Sequence, residues 1–255
     1  MPKNARAVAA CAICPKGELI ATADKSNDHV VTVFNIDSGD VVFSDKGGPD
    51  PIHDLAFTND GSNSCVWSAG VKAMLQIRID EQKKKKVLWN GHESTSFACC
   101  AADDAGNCYA GASNGLIYVV GGSAVKSTLD FHAGGGFVGA INWSEGKLFS
   151  GSKDGKICVT DTSSMTCIQA MAVGTLPRAI DSMNSLLIVG MRSGRIEEFD
   201  LETGESKLIH ESHNDGEVWG LSSDGTHVFT SGDDNQVKMW DPASRTCVST
   251  AIVNE

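Results

Sequence analysis

Five segments of this 255-residue chain repeat one another at a period near 40 residues: SAGVKAMLQIRID (68–80), AGASNGLIYVVG (110–121), SGSKDGKICVTD (150–161), VGMRSGRIEEFD (189–200) and SGDDNQVKMWD (231–241). Each joins a small residue or valine to a glycine, then a short polar turn, then an alternating apolar strand. Aligned on Gly70, Gly111, Gly151, Gly190 and Gly232, the spacings are 41, 40, 39 and 42 residues. Helical repeats of that length carry a 3.6-residue period, whereas pairs such as Ile157/Val159 and Val237/Met239 recur with period two. A small antiparallel sheet cannot bury both faces alone; packing such sheets radially, face against face, covers them.

The last repeat spells out one unit: strand a over 217–221, a turn over 222–226, strand b over 227–231, a tight turn over 232–236 and strand c over 237–240. Pro242 then opens a turn to strand d at 247–250. The same grammar fits 137–161, with its first turn at 144–147, and a sixth unit lies upstream at 7–37 with a longer b–c connection over 24–29. The chain is therefore predicted to be all-β, one domain over 1–255, with six blade-like units near 7–46, 51–90, 94–130, 136–170, 176–210 and 213–252. Twenty-seven glycines against six prolines fit many tight turns and no long helix.

The net charge of −11 is uneven: 16 basic face 18 acidic residues up to position 180, then 5 face 14 from 181 onward. Nucleic acid and anionic lipid need clustered Lys and Arg, so neither is expected as a partner. Nine cysteines sit mostly in apolar stretches such as FACCAA and GKICVT, where they pack as small hydrophobes. Cys11 and Cys14 form a lone CxxC with no second pair at zinc spacing, so no metal or other cofactor is expected. A reduced, cytoplasmic setting follows. The apolar run after Lys3 and Arg6 ends at Pro15 without a cleavage pattern, and reads as a first β-strand. No stretch approaches the roughly 20 apolar residues of a membrane helix.

Trp240-Asp241 closing a strand, a glycine before it and a histidine upstream resemble the WD40 repeat. That resemblance implies a WD40-type β-propeller and a buried hydrogen-bonded tetrad of His213, Ser231, Asp234 and Trp240, structural in role. His132, Ser150 and Asp154 fit three of the four positions in an earlier unit, with Thr160 in place of tryptophan, and His92 fits one. A narrower resemblance joins DKSNDHVVTVFN (24–35), PRAIDSMNSLLIVG (177–190) and NDGEVWGLSSDGTHVFTSGDDNQVKMWD (214–241) to the echinoderm microtubule-associated protein-like family. It implies a cytoskeletal role and tubulin or microtubules as partners. The first unit resembles that family's second blade and the last its seventh, so the chain reads as six blades of a longer protein. Whether the ring holds six or seven blades stays open.

Other motifs are weak. The glycine runs at 47–48 and 134–136 lack the Lys-Ser/Thr end of a phosphate loop, and Asp24–Asp28 lacks the glycine and twelfth-position glutamate of a calcium loop. The sequon at Asn142 falls in a predicted strand. No HExxH or Gly-x-Ser-x-Gly appears, and no catalytic residue is nominated. Lys83, Lys84, Lys85 and Lys86 form the one strong charge run, read either as a basic tip that meets an acidic partner or as a solvated hairpin between blades. The expected function is a non-catalytic scaffold for protein–protein contacts, microtubule-associated; the alternative is a substrate receptor or assembly scaffold with no tubulin binding.

Overall fold

In the computed structural model the described residues are 7–88, 95–132, 136–211, 213 and 218–253. His92, Gly134, Gly135 and the segment 214–217 that carries part of the family resemblance lie outside them. The chain forms two compact units, Met1–Gly174 and Thr175–Glu255. Both are built from one module, a four-stranded antiparallel sheet whose strands follow chain order.

The first unit holds four sheets. The first comprises β1 (Val8–Ile13), β2 (Leu19–Asp24), β3 (Val31–Asn35) and β4 (Val41–Asp45). The second comprises β5 (Ile52–Phe57), β6 (Cys65–Gly70), β7 (Ala73–Arg78) and β8 (Lys83–Lys86). The third comprises β9 (Phe97–Ala102), β10 (Asn107–Ala112), β11 (Ile117–Gly121) and β12 (Ala124–Leu129). The fourth comprises β13 (Val138–Ser144), β14 (Lys147–Ser152), β15 (Lys156–Asp161) and β16 (Thr166–Ala172). The second unit adds β17 (Pro177–Met183), β18 (Leu186–Met191), β19 (Arg195–Asp200) and β20 (Ser206–Glu211). It ends with β21 (Val218–Ser223), β22 (Val228–Gly232), β23 (Gln236–Asp241) and β24 (Thr246–Ile252). The fold class is all-β, of WD40 propeller type, and no helix among the described residues is long and apolar enough to cross a membrane.

The period-two pattern explains how the first unit is filled. Successive side chains of a strand face opposite ways, so β6 sends Cys65, Trp67 and Ala69 into the core shared with the third sheet and Val66 into the core shared with the first. On β7, Met74 goes one way and Leu75 and Ile77 the other. Tyr109 on β10 meets Val138, Ile141 and Leu148 in a third core. Middle strands are thus buried on both faces, while outer strands such as β4 and β8 are largely exposed. Gly111 shows why a repeat glycine sits in strand b. A Cβ there would lie 2.6 Å from Cys99 Sγ and 2.7 Å from a methyl carbon of Val138 on the next sheet.

Turns follow the sequence signals. Ser144 pairs with Lys147, leaving Glu145 and Gly146 as a two-residue loop with φ of 49° and 75°, the type I′ geometry that matches strand twist. At the ends of the third strands, Asp161, Asp200 and Asp241 each accept backbone N–H bonds from residues two or three positions on. These side chains close the turn into the outer strand.

Candidate functional site

Two buried polar constellations and one basic strand are the sequence-nominated sites. In the last sheet, His213 Nδ1 lies 2.8 Å from Asp234 Oδ1, and His213 Nε2 lies 2.8 Å from Thr230 Oγ1. Trp240 Nε1 donates to the same Thr230 oxygen at 2.8 Å. The carboxylate can only accept, so Nδ1 carries the imidazole proton; Nε2 then accepts from the threonine hydroxyl, whose oxygen accepts the indole N–H. Four groups are satisfied by one ordered chain, with the His213 and Asp234 side chains 5% and 1% exposed.

The hydroxyl in that chain belongs to Thr230, whereas the sequence pattern assigned Ser231. The reason is register. Ser231 pairs with Val237 and with Gly220, as Gly151 pairs with Ile157 and Ala140. Ser231 is therefore the structural equivalent of Gly151, and its neighbour Thr230 the equivalent of Ser150. Aligning Gly232 with Gly151 shifted the strand by one residue, and a one-residue shift moves every side chain to the opposite face. The same correction holds at Gly70, since Ala69 pairs with Asp54 in the place where Gly151 pairs with Ala140.

In the fourth sheet, His132 Nδ1 lies 3.1 Å from Asp154 Oδ2 and Nε2 lies 2.9 Å from Ser150 Oγ. The order Ser–His–Asp is that of a nucleophilic triad. Ser150 and His132 are completely buried, so no substrate reaches the hydroxyl, and the arrangement works as an internal strut. Thr160 occupies the tryptophan position, and its buried Oγ1 has no hydrogen-bond partner.

A third constellation had no sequence signal. Asp54 on β5 accepts from its neighbour's amide, Leu55 N, at 2.9 Å and from Cys100 N on the next sheet at 2.8 Å. Beside it His53 Nδ1 lies 3.0 Å from Phe97 O. Desolvation pushes the Asp54 carboxyl up to about 6, against the opposing pull of those two amides. The contact spans 46 positions in the chain, which no local pattern encodes.

Lys83, Lys84, Lys85 and Lys86 are the outer strand β8 itself and not a hairpin: Leu75 pairs with Lys86 and Arg78 with Lys83. All four are exposed. Lys84 Nζ bonds Asp45 Oδ2 at 2.8 Å, holding that carboxyl below its ordinary range, and Lys83 lies 3.9 Å from Glu81. The remaining motifs are structural. Asp24 Oδ1 accepts from Ser26 N, Ser26 Oγ and Val30 N, which closes the loop read as a calcium glance. The amides of Gly47 and Gly48 donate to His29 O and Asp28 O and are not available to a phosphate. Asn142 lies inside β13. All nine cysteines are free thiols, six of them buried.

The profile of the WD domain, G-beta repeat, matches residues 204–241, the stretch that runs from the β19–β20 turn to the end of β23 and contains His213, Thr230, Asp234 and Trp240. A ciliary WD repeat-containing protein of Euplotoides octocarinatus is 41% identical over 260 residues, covering 100% of this chain and 36% of that protein. Human echinoderm microtubule-associated protein-like 2 is 25% identical over 252 residues, covering 94% of this chain and 38% of that protein. The APC/C activator protein CDC20 of Saccharomyces cerevisiae is 31% identical over 108 residues, 40% of this chain and 18% of that protein. The chain thus spans little more than a third of the first and second of these relatives.

Proposed function

Because the chain is a WD40-repeat protein that resembles the echinoderm microtubule-associated proteins, we propose that it is a non-catalytic scaffold for protein–protein contacts on the ciliary or microtubule cytoskeleton, with tubulin or microtubules among its partners. The observation that carries this reading is the breadth of the likeness. Both the ciliary protein and the microtubule-associated protein align along 94% or more of the chain, and not merely over the WD signature. The place of action is then the cytoplasm. The chemistry agrees with it, since the polar constellations that imitate catalytic sites are consumed internally.

The lysine strand is the surface proposed to meet an acidic partner. Lys85 and Lys86 are the residues proposed to lead the contact, because Lys84 and Lys83 already lie against Asp45 and Glu81. Exposed pairs of that kind are weak and exchange readily for an incoming carboxylate. A second reading, an assembly or substrate-receptor scaffold without tubulin binding, draws on the partial likeness to CDC20. Co-sedimentation with polymerised microtubules, beside size exclusion with tubulin dimers at two salt concentrations, separates the readings. Salt-sensitive binding, weakened when Lys83–Lys86 are all changed to Glu, is the expected result. Absence of binding to either form of tubulin would leave the second reading standing.

A further inference from the structure

The register between β15 and β16 brings two cysteines onto one face. Thr160 pairs with Cys167, and Cys158 pairs with Ala170, with Ile168 inserted as a bulge. Directly opposed residues share a face, as do residues two apart on a strand, so Cys158 and Cys167 are diagonal neighbours. They act on each other directly. After burial, the contact with Cys167 is what holds the Cys158 thiol up at about 12. Their exposures differ usefully: Cys158 is buried and Cys167 is partly open. Neither is locked elsewhere by a strong bond, since Cys158 Sγ donates to Phe131 O at 3.7 Å and Cys167 Sγ to Gln169 O at 3.3 Å.

Two other places in the chain act as internal controls. Cys100 and Cys108 are likewise diagonal neighbours on adjacent strands, β9 and β10, but are 5% and 0% exposed in the core between two sheets. Cys247 has the surroundings of Cys167, being opposite Trp240 and donating to Ser249 O at 3.3 Å, yet the place of Cys158 is taken there by Lys238. A reachable thiol with a thiol partner occurs, among these three places, only at Cys158 and Cys167.

We infer that Cys158 and Cys167 are a reversible oxidation site that takes a hydroperoxide as oxidant and closes to a disulfide across β15 and β16. Hydrogen peroxide transfers one oxygen to the partly open Cys167 sulfur, giving a sulfenic acid and water. The Cys158 sulfur then attacks the Cys167 sulfur: the S–S bond forms, the S–OH bond breaks, and the departing hydroxide leaves as water with the Cys158 proton. One peroxide is reduced to two waters and two thiols are oxidised to one disulfide. An external dithiol reverses the step by exchange. The product would tie the outer strand of the fourth sheet to its neighbour at the point where the bulge interrupts the ladder.

The test needs only the intact chain. No Lys or Arg falls between Ile157 and Arg178, so trypsin leaves both cysteines in the single peptide 157–178. After brief peroxide treatment, that peptide should be two hydrogens lighter, resist alkylation and recover with dithiothreitol, while Cys100 and Cys108 alkylate normally once the chain is unfolded. In a Cys158→Ala variant, Cys167 should instead be trapped by dimedone, as Cys247 is in the unmodified chain. Two results would overturn the inference: full alkylation of Cys158 and Cys167 under conditions that label Cys247 with dimedone, or capture of Cys167 in a disulfide between two chains.

Discussion

Changing Thr230 to valine removes one hydroxyl that bonds two groups at once: His213 Nε2 and the Trp240 indole N–H. A buried polar group left without its bond costs about 1–3 kcal/mol. His213 is 5% exposed and bears the full cost, whereas Trp240 is only half-buried and recovers part of its loss from water. The sum is about 2–4 kcal/mol. Ser231→Ala, on the opposite face of the same strand, should cost less than about 1 kcal/mol. Hydrogen exchange on the β22 and β23 amides reads the difference locally: at about 1.4 kcal/mol per decade, protection should fall roughly 30- to 700-fold in the Thr230 variant. Urea unfolding followed by circular dichroism should rank the variants in the same order. Equal losses at the two positions, or the larger loss at Ser231, would refute the register on which the assignment rests.

The fourth sheet predicts the opposite sign. Thr160→Val deletes a buried hydroxyl that bonds nothing and should raise stability by about 1 kcal/mol in the same urea assay. Asp54 predicts a pH dependence. Its folded-state pKa is raised to about 6 from an ordinary 3.8, so its contribution is fully present below about pH 4 and is lost as pH rises through 6. The full shift corresponds to about 3 kcal/mol, and partial access to water reduces that to about 2 kcal/mol. Unfolding free energies measured from pH 4 to pH 7 should show this fall, and Asp54→Asn should flatten it.

How much could be read from the residues depended on the range of the interaction. The repeat, the strand–turn–strand grammar and the two-residue turn at Glu145-Gly146 are local, and period two with a glycine near position 40 suffices to place them. The tetrad is half-local. Its histidine, aspartate and tryptophan are marked by turn and strand ends, but the choice between Thr230 and Ser231 depends on cross-strand pairing. Alignment on glycines misses that pairing because the glycine is not at one fixed place in strand b: Gly151 pairs with Ile157, but in the last sheet Ser231 holds that place opposite Val237 and Gly232 lies one position beyond it. The lysine run was legible as exposed charge. Its strand conformation was not, because lysine has low strand propensity and is held extended by the ladder to β7. Asp54 was invisible, its partner amide lying on another sheet.

The chain order of strands in every sheet leaves the fourth strand at a sheet edge each time, and an edge strand offers its free backbone groups to any passing chain. Charge is the usual deterrent to edge-to-edge aggregation. Four of these strands carry one: β4 ends on Asp45, β8 is all lysine, β12 has Lys126, and β20 has Lys207 and Glu211. The other two, TCIQAMA in β16 and TCVSTAI in β24, carry none, and Ile168, Val248 and Ile252 on them are 56%, 48% and 68% exposed. Among the fourth strands, β16 and β24 are therefore where a single inserted lysine is expected to do most to keep concentrated solutions clear.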